Sequence, residues 1–147
     1  MISYGSDIVI DQPVEKVASF ALDPDSHTRW MGDVVNVQRL SAGDLAVGSR
    51  FQYAIRKGPM AFDPTFRVTA YDPGHRVEYQ SEPGGPLAWT ASLEFEAVGD
   101  DRTRVRSTGR IGFNGLRRLL EPLMAGEVRA GEAAELEALK RVLEQAT

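Results

Sequence analysis

The chain has 147 residues, 42% hydrophobic and 26% charged, with 17 Lys+Arg against 21 Asp+Glu, a net charge of −4, no cysteine and two histidines. This is the size and balance of one globular domain over 1–147, and it excludes disulfides, thiolate metal sites and cysteine nucleophiles. The acidic balance excludes a basic nucleic-acid footprint, and no apolar run approaches the roughly 18 residues of a membrane span. Met1–Asp7 has neither the basic start nor the apolar stretch of a signal peptide. The expectation is a cytoplasmic domain that handles a small molecule, with no metal and no cofactor; the sequence carries no signal for an oligomeric state.

Ile2 to Ile10 reads as a strand ending in Ile8-Val9-Ile10. Asp11-Gln12-Pro13 opens a helix, with Asp11 or Gln12 at the cap, Pro13 in the first turn and Glu15 near the positive helix end. Val14, Val17, Phe20 and Ala21 give that helix one apolar face. Asp23-Pro24-Asp25 breaks it, and a second short turn runs to Arg29-Trp30-Met31 before Gly32-Asp33 closes it.

From Val34 the period becomes two. Val35 and Val37 begin a strand that ends near Leu40. Phe51, Tyr53 and Ile55 alternate with Arg50, Gln52 and Arg56, giving one apolar and one wet face. After the Lys57-Gly58-Pro59 turn, Phe62, Phe66 and Val68 continue the apolar face, with Pro64 marking an edge or a bulge. Tyr71-Asp72-Pro73-Gly74-His75 and Pro83-Gly84-Gly85-Pro86 are turns. Val77, Tyr79 and Ser81 form the next inward set. Leu87, Trp89, Ala91, Leu93 and Phe95 form another, and Val105, Ser107, Gly109 and Ile111 the last. Seven strands with short connections imply an antiparallel sheet.

Leu116 to Gln145 is helical in composition and would span about 45 Å. Leu116, Leu119, Leu120, Leu123, Ala130, Gly131 and Ala134 fall on one stripe. Leu136, Leu139, Val142 and Leu143 fall on another, so the helix packs on two surfaces or bends near Gly126 or Gly131. The small residues in mid-helix leave either close packing or empty volume beneath. Glu127 projects onto the first stripe. It is either a ligand-contacting or acid/base group, or a residue that a kink at Gly126 turns to solvent, and the second is favoured.

Ile8-Val9-Ile10-Asp11-Gln12-Pro13 with Val17, Phe20, Asp23-Pro24 and Arg29-Trp30 resembles the opening of the polyketide cyclase/dehydrase branch of the START-like (SRPBCC) superfamily. Gly48-Ser49-Arg50-Phe51, Tyr71-Asp72-Pro73, Leu93-Glu94-Phe95 and Leu136…Leu139-Lys140 follow in that family's order and spacing. The resemblance implies an α+β helix-grip fold: a curved sheet of about seven strands around a long C-terminal helix, two short helices after the first strand, and a cavity holding an apolar ligand. It implies binding of a small hydrophobic or aromatic, lipid- or polyketide-like molecule. A cyclase/aromatase-like enzyme that folds its substrate, with Tyr53, Tyr79, Trp89 and Glu127 as polar handles, is the alternative, and a co-chaperone-type interaction module a third. Glu127 and Tyr79 are the catalytic candidates. Arg50, Arg56, Arg67 and Arg76 point outward by alternation, so the interior arginine of an aromatic cyclase is not evident. Glu127 also departs from the family pattern, where small or apolar residues are usual.

Under the cavity reading the ligand-contacting residues are Trp30, Phe51, Tyr53, Ile55, Phe66, Val68, Tyr79, Ser81, Trp89, Leu93, Ser107, Leu120, Leu123, Met124 and Glu127. Plain core packing is the competing account of the aromatic stripe. Trp30 gates the cavity or plugs the sheet edge, plugging being favoured. His27, among Asp23, Asp25 and Ser26, reads as part of a capped, solvated turn in preference to a triad. His75 reads as exposed in its hairpin. Pro59-Met60-Ala61-Phe62 reads as an apolar loop tip.

Overall fold

Apolar residues at every second position from Val34 to Ile111 assemble into one antiparallel sheet. The computed structural model describes residues 1–85 and 87–145. Pro86 of the expected turn, and the last two residues of the expected domain, lie outside the described residues. In chain order the protein contains β1 (Ile2–Ile10), α1 (Val14–Leu22), a 3₁₀ turn (Pro24–Ser26), α2 (His27–Trp30), β2 (Val34–Arg39) and β3 (Arg50–Lys57). There follow β4 (Met60–Phe62), β5 (Thr65–Asp72), β6 (Arg76–Ser81), β7 (Leu87–Ala97), β8 (Thr103–Phe113), a 3₁₀ segment (Gly115–Leu120) and α3 (Glu121–Gln145).

Seven strands lie in the order β1-β8-β7-β6-β5-β3-β2, all paired antiparallel. The segment read as a loop tip instead folds back as short β4, pairing Met60 with Lys57 on β3. Pro64 then separates β4 from β5, because it has no N–H for a ladder. The hairpin between β5 and β6 is a Pro-Gly turn. Gly74 adopts a φ of 80°, which costs a residue without Cβ nothing, and His75 N–H donates to the Asp72 carbonyl at 2.9 Å. Register shifts at Val34/Asn36 and Val68/Ala70 are bulges that add curl to the sheet. β1 and β2 are its two edges, and α1 and α2 carry the chain from one to the other.

α3 lies against β1, β8 and α2. Its second half buries Leu136, Leu139 and Leu143 in a large cluster with Ile10, Val17, Phe51, Val68 and Phe95. Its first half covers a smaller cluster of Ile2, Phe62, Leu87, Ile111 and Phe113 with Met124 and Val128. No helix among the described residues is long and apolar enough to cross a membrane.

Two expectations are corrected. Pro13 occupies the cap position of α1, which no side chain caps. Gln12 instead reaches α3, its Nε2 donating to the Leu143 carbonyl at 3.1 Å, and Asp11 pairs with Arg102 at 3.0 Å. The second correction concerns the first helical stripe. Leu116 (85% exposed), Leu119 (77%), Leu120 (47%) and Leu123 (80%) face solvent, as do Ala130 and Ala134. No residue of the 3₁₀ segment Gly115–Leu120 is buried. Within α3 the inward face is that of Glu132, Leu136, Leu139 and Leu143, and Leu123, Ala130 and Ala134 lie off it. A stripe drawn through the leucines of 116–123 therefore follows the solvent face.

Candidate functional site

The two apolar clusters do not meet flush. Ile55 and Trp89 are packed against both, and a cavity in two compartments lies along this seam, under the middle of α3. The first compartment encloses about 600 Å³ counting its mouth, of which about 70 Å³ admits the centre of a water molecule. The corresponding figures for the second are about 660 and 80 Å³. Val34, Ile55, Trp89, Glu132 and Glu135 belong to the walls of both.

Each strand supplies its wall through the alternation that builds it. In the first compartment β3 gives Tyr53 and Ile55, β5 gives Phe66, β6 gives Tyr79, β7 gives Trp89 and Leu93, and β8 gives Ser107. β1 adds Tyr4 and α2 adds Trp30. The rings interlock edge to face: Tyr53 and Phe66 at 5.4 Å between centroids, Phe66 and Trp89 at 5.6 Å. Such pairs contribute beyond their buried area.

Most of the polar tips on this wall are engaged. The Trp89 indole N–H donates to the Tyr4 hydroxyl at 3.0 Å. That hydroxyl lies over Gly109, where a Cβ would collide with it and would sit 2.6 Å from the Thr90 carbonyl. Trp30, 2% exposed, donates its indole N–H to Ser26 Oγ at 3.2 Å. Tyr53 and His27 lie 2.6 Å apart, hydroxyl to Nδ1, and His27 Nε2 is 2.8 Å from the Ala21 carbonyl. A carbonyl only accepts, so Nε2 carries the proton and Nδ1 accepts from Tyr53. His27 is fully buried, which corrects its reading as a solvated turn residue. Burial lowers its pKa to about 4, so it is a neutral strut that holds Tyr53. Tyr79 differs: its hydroxyl is buried with no hydrogen-bond partner among the described residues, and it lines the first compartment. Ser92 Oγ is likewise buried without a partner among them.

The helix contributes what the sequence reading missed. Glu132 and Glu135 are one turn apart on α3, so they share a face, and both line both compartments. Glu132 is 8% exposed. Glu135 is half-buried, and its carboxyl is desolvated. The two carboxyls interact, each changing the other's hold on its proton. Desolvation raises Glu132 to about 7. It raises Glu135 well above the carboxylate range, and the neighbouring Glu132 charge adds to this. Asp33 and Lys57, paired at 3.5 Å, act on the pair from further away with opposite sign. The signal was present in the sequence: counting back from Leu143, Leu139 and Leu136 by threes and fours reaches Glu135 and Glu132.

Of the residues expected to contact a ligand, Trp30, Tyr53, Ile55, Phe66, Tyr79, Trp89, Leu93 and Ser107 line the first compartment. Met124 and Glu127 lie along the second. Glu127 is exposed at its rim. Phe51 and Val68 are packed in the large cluster, away from both compartments. Ser81 is engaged at the strand edge, its Oγ accepting from Trp89 N–H at 2.8 Å. Leu120 and Leu123 face solvent. Gly131 lines the second compartment, where its missing side chain leaves room, whereas Ala130 and Ala134 point away. Arg50, Arg56 and Arg76 pair with acidic residues and are more than two-fifths exposed, and Arg67 is exposed.

A curled antiparallel sheet gripping a C-terminal helix, with a cavity between them, is the START-like helix-grip fold. The sequence matches the family described as polyketide cyclase / dehydrase and lipid transport over residues 1–144, and the chain belongs to that family. A comparison with curated proteins finds no match. Among solved structures, TTHA0849 of Thermus thermophilus is similar at TM-score 0.83 and 17% identity, covering 99% of each chain. A START superfamily protein of Mycobacterium smegmatis is similar at TM-score 0.84 and 12% identity, again covering 99% of each. The Zhui aromatase/cyclase of a Streptomyces species is similar at TM-score 0.83 and 13% identity, covering 97% of this chain and 93% of that one.

Proposed function

We propose that this protein binds a small hydrophobic or aromatic molecule in the two-compartment cavity. The observation that carries the reading is Tyr79: a buried hydroxyl without a partner among the described residues, on a wall made mostly of apolar side chains and rings. A buried polar group left unpaired costs about 1–3 kcal/mol, and a ligand oxygen or nitrogen placed there recovers it. Apolar walls with a few aimed polar groups are the composition of small-molecule sites. The narrow interior suits one or two rings, with longer ligands reaching past Trp89 into the second compartment. Titration with mono- and bicyclic aromatics, followed by backbone amide NMR, tests this. Shifts confined to the inner residues of β5–β7 and α3, weakened by Tyr79→Phe for ligands bearing a polar group, are expected. A panel that moves no inner amide defeats the reading.

Chemistry on the bound molecule is the second reading, and one observation favours it. The Glu132–Glu135 pair sets a proton donor beside a proton acceptor in the cavity wall, as an aldol-type ring closure requires. Glu135→Gln should then abolish turnover of a diketone probe without weakening its binding. Unchanged turnover removes this role.

A further inference from the structure

The polar side of the cavity narrows the ligand class, a step that rests on the ligand-binding reading above. Glu132 and Glu135 both reach the seam between the compartments. Among the described residues neither makes an ion pair. Lys57, which acts on them at longer range, is paired with Asp33. The strand arginines are on the outer surface with their own carboxylates. The first compartment thus has two carboxyls and no cation among its described wall residues, while the second has Lys57 in its wall, held by Asp33. A carboxylate ligand would enter beside two carboxyls and lose its water without compensation, which both Coulomb repulsion and desolvation oppose. An ammonium group would meet opposite charge, and the aromatic residues Tyr4, Trp89 and Tyr53 line the same compartment, a setting that suits a cation. The unpartnered Tyr79 hydroxyl on the same wall is an independent sign that a polar ligand atom belongs in this compartment.

We propose that the cavity takes a hydrophobic amine, its apolar body among the rings of the first compartment and its protonated nitrogen on the Glu132–Glu135 pair. Glu135 keeps its proton while Glu132 loses its own near 7. The ammonium binds the ionised Glu132 beside the neutral Glu135, so below pH 7 binding releases the Glu132 proton to solvent and tightens as pH rises. The groups facing the pair are Tyr4 from β1, Asp33 from the turn before β2, Tyr53 and Lys57 from β3. Tyr4 and Tyr53 stay neutral because burial raises both. With Glu132 titrating at about 7, affinity for an ammonium should rise about tenfold from pH 6 to pH 8.

The test uses three probes of one shape, 2-phenylethylamine, 2-phenylethanol and 3-phenylpropionate, titrated into the full chain at pH 6 and pH 8 with amide NMR shifts as the readout. The amine is expected to bind about tenfold tighter than the alcohol at pH 8, with the propionate weakest. Glu132→Gln and Glu135→Gln should each remove most of that advantage and its pH dependence. Both should leave the alcohol within about twofold of its original affinity, which also reports an intact cavity. An amine that binds no tighter than the alcohol, a pH-independent advantage, or an advantage that survives both glutamine variants overturns the inference while the broader ligand reading stands. If none of the three probes shifts an inner amide, both fall.

Discussion

Replacing the carboxyls of α3 one at a time should tilt the pH profile of stability in steps. Glu132 titrates at about 7 in the folded chain against an ordinary 4.5, and Glu135 is raised well above 4.5. The folded state therefore holds protons that the unfolded chain releases. The stability these groups contribute is fully present below about pH 4.5 and is lost as pH rises toward 7. Each costs about 1.4 kcal/mol per pH unit across that window. His27 works in the opposite sense. Its folded value is about 4 against an ordinary 6.5, so its contribution is present above 6.5 and is lost as pH falls toward 4. Glu82, Glu121 and Glu144, all lowered by their partners, act below pH 4.5. Between pH 4.5 and 6.5 the wild-type chain has two falling slopes and one rising slope, and should lose about 3 kcal/mol over the two units. Glu132→Gln removes one falling slope and should give a flat profile. The double variant Glu132→Gln/Glu135→Gln leaves only His27 and should gain about 3 kcal/mol, or about 10 °C in Tm for a domain of this size. Urea unfolding at half-unit pH intervals, read by tryptophan fluorescence, measures all three. Three parallel profiles would refute the argument, because the carboxyls would then not be holding their proton in a desolvated site.

Other substitutions probe the walls and the core. Gly109→Ala should force the Tyr4 ring from its seat and cost about 1–3 kcal/mol, with a change in near-UV circular dichroism as Trp89 loses its hydrogen-bond acceptor. Tyr53→Phe leaves His27 Nδ1 buried without its donor and should cost about 1–3 kcal/mol in urea denaturation, with ligand affinity nearly unchanged because that hydroxyl faces His27. Leu139→Ala, at a fully buried position, should cost about 2–5 kcal/mol; a loss below about 1 kcal/mol would mean that α3 is not anchored by this face.

Strand alternation was legible because each inward residue repeats a period of two that no loop imitates, and the seven expected strands follow from it. The second half of α3 was equally legible from Leu136, Leu139 and Leu143. Its first half was not. Leu116, Leu119, Leu120 and Leu123 are apolar yet lie on the solvent side, so a stripe drawn through them placed Glu127 on the inner face in place of Glu132. Glu135 was hidden by company, since α3 carries several glutamates and only phase separates the inward ones. His27 was obscured by Asp23, Asp25 and Ser26. Its burial is set by Tyr53, 26 residues away, a contact that no reading of neighbours in the chain supplies.

The shared wall of Ile55 and Trp89 has a consequence for how this scaffold changes. The sheet, both apolar clusters and the anchoring leucines of α3 stay in place whether the two compartments are separate or joined. Five side chains stand between them, and the largest, Trp89, is steered by a hydrogen bond to Tyr4. The length of molecule the protein admits is therefore adjustable at the partition while the framework keeps its stability. Variation in what is bound and persistence of the fold are governed by different residues.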